Sequence, residues 1–177
     1  TARAVSRLGA SIVMLKTVKI SNECFDVKVE VDDYVPLSVV TYDSPLGAMF
    51  YRLGNFDTSL IEIAVDPESG ALRGFTVVSV DRRFEGQASA ARLETGVPIA
   101  DLNAFAHDNI LDDPEPFSLG LQGNSALVAM RDFENSDTIA VCGDLKFYLH
   151  LGTLVGLAVE NLSKRSVMII SDHLSRI

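Results

Sequence analysis

Residues 59–83 read SLIEIAVD, then PESG, then ALRGFTVVSVDRR. In the first run Ile61, Ile63 and Val65 recur at every second position with Leu60 out of step, a period of two that fits a half-buried strand. Pro67 suits an early turn position, Ser69 can bond the local backbone, and Gly70 can take a positive φ. The segment therefore reads as a β-hairpin. In its second strand Phe75 and Val77 share one face, and Thr76, Val78 and Val80 share the other. Apolar residues on both faces predict a central strand of a sheet.

The rest of the chain is read around that hairpin. Residues 15–20 and the run VKVEV (27–31) alternate, with Lys28 and Glu30 outward, and SNE between them has a tight-turn composition. LSVVTY (37–42) is β-branched and strand-like, whereas 44–54 fits a short helix or a strand. Residues 84–97 lose the pattern and read as a surface loop. PIADLNAFAH (98–107) spaces Ile99, Leu102 and Phe105 as a short helix would. DNILDDPEP (108–116) carries two prolines and four acids and reads as a loop, and LGLQGNS (119–125) reads as a turn. Residues 126–130, 137–143, 145–150 and 153–161 read as four short strands, the last two joined by a turn at Leu151–Gly152. Ser163 is placed to cap a final helix carrying Val167, Ile170 and Leu174 at three- and four-residue steps, with a strand through SVMIIS as the alternative. No internal repeat is evident. The expected fold is a single α+β domain over 14–177, a mostly antiparallel β-sheet built from hairpins, with one or two short helices, one of them C-terminal.

At 177 residues and 47% apolar, the chain can bury a core without disulfides or metals. Acids outnumber bases 24 to 15, for a net charge of −9. The ends are basic, +4 over 1–20 and +2 over 163–177, so the body between them holds −15. Such a surface repels nucleic acid and suits either plain solubility or a basic protein partner. Residues 1–13 are basic and acid-free and read as a leader or upstream extension, with Met14 opening the strand-like MLKTVKIS. No apolar run is long enough for a membrane span, and the two cysteines fit a reducing cytoplasm.

Few residues are placed to carry chemistry. His107, His150 and His173 are scattered without ligand spacing, so each reads as structural and no metal is expected. Cys24 and Cys142 lie in no CxxC motif, and their spacing leaves open whether they meet. Cys142 and His150 flank a hairpin and are the one conceivable nucleophile pair, against the plainer reading of a buried thiol. There is no nucleophile elbow, phosphate-binding loop or calcium loop, so no cofactor is expected. Of three acidic clusters, 30–33, 108–115 and 132–137, the middle one is the best candidate for partner binding. There Asp108, Asp112, Asp113 and Glu115 would steer a partner, with Phe117 among the apolar anchors beside Ile110 and Leu111.

Two segments carry a family likeness. One is Leu60-Ile61-Glu62-Ile63, then Asp66-Pro67-Glu68-Ser69-Gly70-Ala71-Leu72, then Thr76 to Val80. The other is Phe147-Tyr148-Leu149, then Leu154-Val155-Gly156-Leu157-Ala158-Val159-Glu160-Asn161-Leu162-Ser163. They resemble hairpins of bacterial immunity proteins from contact-dependent growth inhibition and related polymorphic toxin systems, with a departure at Leu157-Ala158 from the regular β-branched alternation. The resemblance implies a cytoplasmic, non-enzymatic protein that binds and neutralises one cognate toxin C-terminal domain, in some systems a nuclease with a basic cleft. It marks no toxin-binding residues, because those surfaces vary with the partner. A monomer or weak dimer is expected on this reading. The competing classes are a non-catalytic oligomerisation or interaction module, which predicts a large self-complementary apolar patch, and a small enzyme, which predicts a pocket where Cys142 and His150 converge.

Overall fold

The computed structural model describes residues 13–41, 47–88, 90–105 and 108–177. The leader expected at 1–13 lies outside them except for Val13, as does His107. In chain order the strands are β1 (Thr17–Ser21), β2 (Val27–Glu30), β3 (Leu37–Thr41), β4 (Met49–Leu53), β5 (Leu60–Val65), β6 (Leu72–Ser79) and β7 (Arg92–Thr95). There follow β8 (Val97–Ala100), β9 (Ile110–Asp113), β10 (Ser118–Gln122), β11 (Ser125–Ala129), β12 (Thr138–Cys142), β13 (Leu145–His150) and β14 (Thr153–Val159). The helix α1 (Lys164–Leu174) comes last, and Ser163 caps it by accepting the Ser166 N–H.

The α+β class and the C-terminal helix agree with the sequence reading. The 60–79 hairpin forms, and β6 is an interior strand as its two apolar faces require. Several local expectations are corrected. The 84–97 segment contains strand β7, and 98–107 begins as strand β8 before a single 3₁₀ turn at Leu102–Phe105. The supposed loop at 108–116 holds β9, and 119–125 is the β10–β11 hairpin. The undecided stretch becomes β4 where it is described. β1 does not turn back onto β2 but pairs with β8 in a separate ribbon.

Two six-stranded sheets make the body, and they share one plan. The N-terminal sheet runs β2-β3-β6-β5-β4-β9 and the C-terminal sheet β10-β11-β14-β13-β12-β7. In each, four antiparallel pairings are followed by one parallel edge strand. The registers coincide as well. Leu37 pairs Val77 and Val39 pairs Phe75, as Ala126 pairs Val159 and Val128 pairs Leu157. Ile63 faces Phe75 as Phe147 faces Leu157, and an irregularity follows Ala64 as one follows Tyr148. The chain is thus an internal structural duplication, which the sequence reading did not find. The parallel edges are taken from the connecting region: β9 completes the first sheet and β7 the second.

One core lies between the sheets. Leu37, Val39, Ile61, Ile63 and Val77 face Val128, Leu145, Phe147, Leu157 and Val159 within a single apolar cluster. Ile170 and Leu174 of α1 join it, and α1 packs on β10. Burying such side chains, each worth roughly 1.5–3 kcal/mol, fixes which face of each strand points inward. What remains turned outward is the outer faces and the edges.

Candidate functional site

The outer face of the N-terminal sheet presents two rows of side chains at right angles to its strands. One row runs Lys28, Val40, Gly74, Ala64, Phe50 and Ile110, following the pairings of β2, β3, β6, β5, β4 and β9. Its neighbour runs Glu30, Ser38, Thr76, Glu62, Arg52 and Asp112. The second row is internally bonded. Ser38 and Thr76 hydroxyls lie 2.9 Å apart, and Arg52 donates Nε and an Nη to the two oxygens of Asp112 at 2.7 and 2.8 Å. Beyond Lys28 at its end the first row is apolar and, among the described residues, uncovered, with Val40 38% and Ile110 41% exposed. Its middle is a hollow of about 170 Å³ floored by Gly74 and walled by Val40, Ala64 and Phe50. Gly74 is required there: a Cβ would stand 2.1 Å from the Val39 carbonyl oxygen.

The same rows exist on the C-terminal sheet, and there they are covered. Ala129, Gly156, Tyr148 and Ile139 replace Val40, Gly74, Ala64 and Phe50 at matching register. The connection from β11 to β12 folds back over them, and Phe133 seats its ring on Gly156, where a Cβ would come within 2.5 Å of it. Phe133 packs on Tyr148 with ring centroids 4.9 Å apart, and Phe84 packs edge-on against Phe133 at 5.3 Å. Together they form a second apolar cluster outside the main core. In the first half the β3–β4 connection has the same length by register, and its residue at the sequence position of Phe133 is Ser44, outside the described residues.

The acidic segment proposed from sequence borders the bare face, but it is not an exposed loop. Asp108 is exposed, and Asp112 is half-exposed in its pair with Arg52. Asp113 is corrected: it is 2% exposed, and the buried Tyr51 hydroxyl donates to its Oδ2 at 2.6 Å. Burial, then the adjacent Asp113 carboxylate, push the Tyr51 hydroxyl far above its ordinary pKa, so it stays a proton donor. Glu115 is held by Arg131 in an ion pair. Phe117 is also corrected, since it is 2% exposed and belongs to the core. Sequence reading placed all five on one loop because their partners, on β4 and beyond β11, are distant in the chain. The residues it missed, Val40, Ala64 and Phe50, show no local signal beyond strand alternation.

The nucleophile pair also separates. Cys142 pairs with Leu145 and His150 with Thr153, so they occupy opposite ends of β13, about 17 Å apart at roughly 3.3 Å per residue. His150 instead lies with Nδ1 3.5 Å from Asp137 Oδ2. An open groove of about 800 Å³ runs between β1 and the β7–β12 edge, with Lys19, Arg92, Glu94 and Asp137 of mixed sign along it. Among the described residues no three His, Cys, Asp or Glu side chains converge as metal ligands, and no helix is long and apolar enough to cross a membrane. Neither a comparison with protein-family models nor one with curated proteins finds a match for this chain.

Proposed function

We propose that this chain is a non-catalytic binding protein of the immunity type, which neutralises a cognate toxin domain in the bacterial cytoplasm by covering it. The observation that carries the reading is the unequal covering of two equivalent sheet faces. The row on the C-terminal sheet is closed by Phe133 and Phe84, while among the described residues nothing closes the row from Val40 to Ile110. A partner bringing an apolar or aromatic side chain to Gly74 would repeat the contact that Phe133 makes on Gly156. The rim favours a basic partner: Glu62 and Asp112 flank Arg52, and Asp112 already pairs with it. An exposed aromatic, Phe56, stands beneath that guanidinium at 5.5 Å and extends the apolar surface. Apolar anchors within a charged rim are the usual anatomy of a protein interface.

The test is expression of the C-terminal domain of the neighbouring upstream reading frame in a susceptible bacterium, with and without this protein. Growth rescue and co-purification of the pair are expected. Val40→Arg with Ile110→Arg, both exposed positions, should abolish rescue and weaken binding at least about tenfold while the melting temperature holds. Rescue undiminished by these changes moves the interface elsewhere. No rescue by the wild-type chain overturns the immunity reading, and concentration-dependent dimerisation lost in the same variant would turn the bare face into a self-association surface.

A further inference from the structure

Cys24 and Cys142 are distant in sequence and meet in space. Cys24 lies in the link from β1 to β2, and Cys142 ends β12 of the other sheet. The Phe25 N–H points at Cys142 Sγ at 3.4 Å, Cys142 Sγ reaches the Phe25 carbonyl at 3.8 Å, and Cys24 Sγ reaches the Val141 carbonyl at 4.0 Å. Each thiol thus lies against the backbone next to the other cysteine, and both are free. One is exposed and the other buried, so a reagent can reach only the first. Beside them opens a cleft of about 520 Å³ bordered by Phe25, Asp26, Thr41 and Arg73. Its wall is polar and partly unused: Thr41 Oγ1 and Arg73 Nε are buried without a hydrogen-bond partner. The Arg73 guanidinium stacks over the Phe25 ring at 4.9 Å.

We propose that Cys24 and Cys142 are a redox pair that closes into an intramolecular disulfide when a small disulfide such as oxidised glutathione enters this cleft. The exposed Cys24 thiolate attacks one glutathione sulfur, breaking its S–S bond and releasing one reduced glutathione. The Cys142 thiolate then attacks Cys24 in the mixed disulfide and expels the second. Two protein thiols are oxidised, one small disulfide is reduced to two thiols, and the two protons go to the departing thiolates. The new bond fastens the entry of the N-terminal sheet to β12 of the C-terminal sheet. This assignment does not depend on the binding reading above.

The chemistry is slow at neutral pH. Partial desolvation of its otherwise exposed side chain, with the neighbouring Cys142, pushes the Cys24 thiol up to about 11. The thiolate fraction, and with it the closure rate, therefore rises about tenfold per pH unit through the neutral range. That behaviour suits a stabilising lock formed under sustained oxidation and not a fast catalytic dithiol.

The experiment treats the full chain with oxidised glutathione at mildly alkaline pH and follows intact mass, free thiols and melting temperature. Expected are the loss of two hydrogens with no adduct, the disappearance of both thiols, and a rise in Tm of roughly 5–10 °C that a reductant reverses. Cys142→Ala should instead accumulate one stable glutathione on Cys24, and Cys24→Ser should leave Cys142 unmodified. A wild-type chain that stops at the single adduct, keeps both thiols, or forms a disulfide-linked dimer overturns the proposal.

Discussion

Gly74 and Gly156 hold the same register position, one flooring an open hollow and the other lying under the ring of Phe133. Around them the two sheets repeat each other strand for strand, down to the irregularity that follows Ala64 and Tyr148. The inward residues match in burial although they differ in identity, because the shared core needs the same volume from both sides. The outward residues are free of that demand. On the C-terminal sheet they carry a second apolar cluster, and on the N-terminal sheet they carry an exposed apolar row with an acidic rim. A duplicated frame thus covers one outer face with its own β11–β12 connection and, among the described residues, leaves the twin face uncovered.

Removing the cover of the C-terminal sheet has the largest expected effect. Phe133→Ala should lower unfolding stability by about 3–5 kcal/mol, because it empties a buried aromatic site over Gly156 and unseats Phe84. Phe50→Ala, at the matching face of the other sheet, should cost only about 1 kcal/mol, since Phe50 is already partly in water. Urea unfolding of the two variants measures the gap. Equal losses would mean that the N-terminal face is as well covered as its twin.

The second variant compares inward positions. Tyr51 and Ala140 occupy equivalent sites, on strands paired to Ile63 and Phe147 respectively. Only Tyr51 brings a hydroxyl, which donates a hydrogen bond to the Asp113 carboxylate of β9 inside the core. Tyr51→Phe leaves that carboxylate buried without this donor and should cost about 1–3 kcal/mol in the same unfolding assay. A neutral result would mean that water or another donor replaces the hydroxyl.

The two central hairpins differ in how carboxylates hold them, and acid separates the contributions. Burial alone would raise Asp66, but the Arg73 guanidinium and the Ser69 and Glu68 N–H groups outweigh it and hold the carboxyl below its ordinary value. A depressed folded-state pKa gives stability that is fully present above the unfolded value of about 3.9 and lost as pH falls through the folded one. Asp66→Asn should therefore lower the melting temperature near neutral pH and flatten its fall below about pH 4. Parallel Tm–pH curves for mutant and wild type would remove Asp66 from the acid response.

What could be read in advance follows from how local each signal is. The 60–79 hairpin carries its alternation and its turn within one segment, and α1 carries its cap and apolar stripe likewise. β7 and β9 are four residues each, without clean alternation, and paired in parallel to strands far along the chain. Nothing in RLET or ILDD announces such a partner. The duplication was hidden for a related reason: equivalence lies in register and burial, while turns of different length separate the matching strands. The acidic segment was legible as charge but not as geometry. Asp113 and Phe117 face inward because β9 is pinned to β4, a pairing that no residue within the segment specifies.

The smallest effect tests the turn of the second hairpin. Leu151 and Gly152 form a two-residue link between β13 and β14, both with positive φ, at 48° and 75°. The first hairpin places Gly70 at its left-handed position, whereas here a leucine takes the strain although 83% of it is exposed. A non-glycine residue in that region costs roughly 1–2 kcal/mol, and asparagine tolerates it best. The Leu151 N–H that Asp137 accepts at 2.7 Å is a backbone group and survives substitution. Leu151→Asn should therefore raise stability by about 0.5–1 kcal/mol, read as a Tm increase of roughly 1–4 °C. A decrease would show that the leucine side chain earns its strained backbone through contact with the groove it lines beside Thr17 and Arg92, making that groove a second outward surface the C-terminal half does not leave idle.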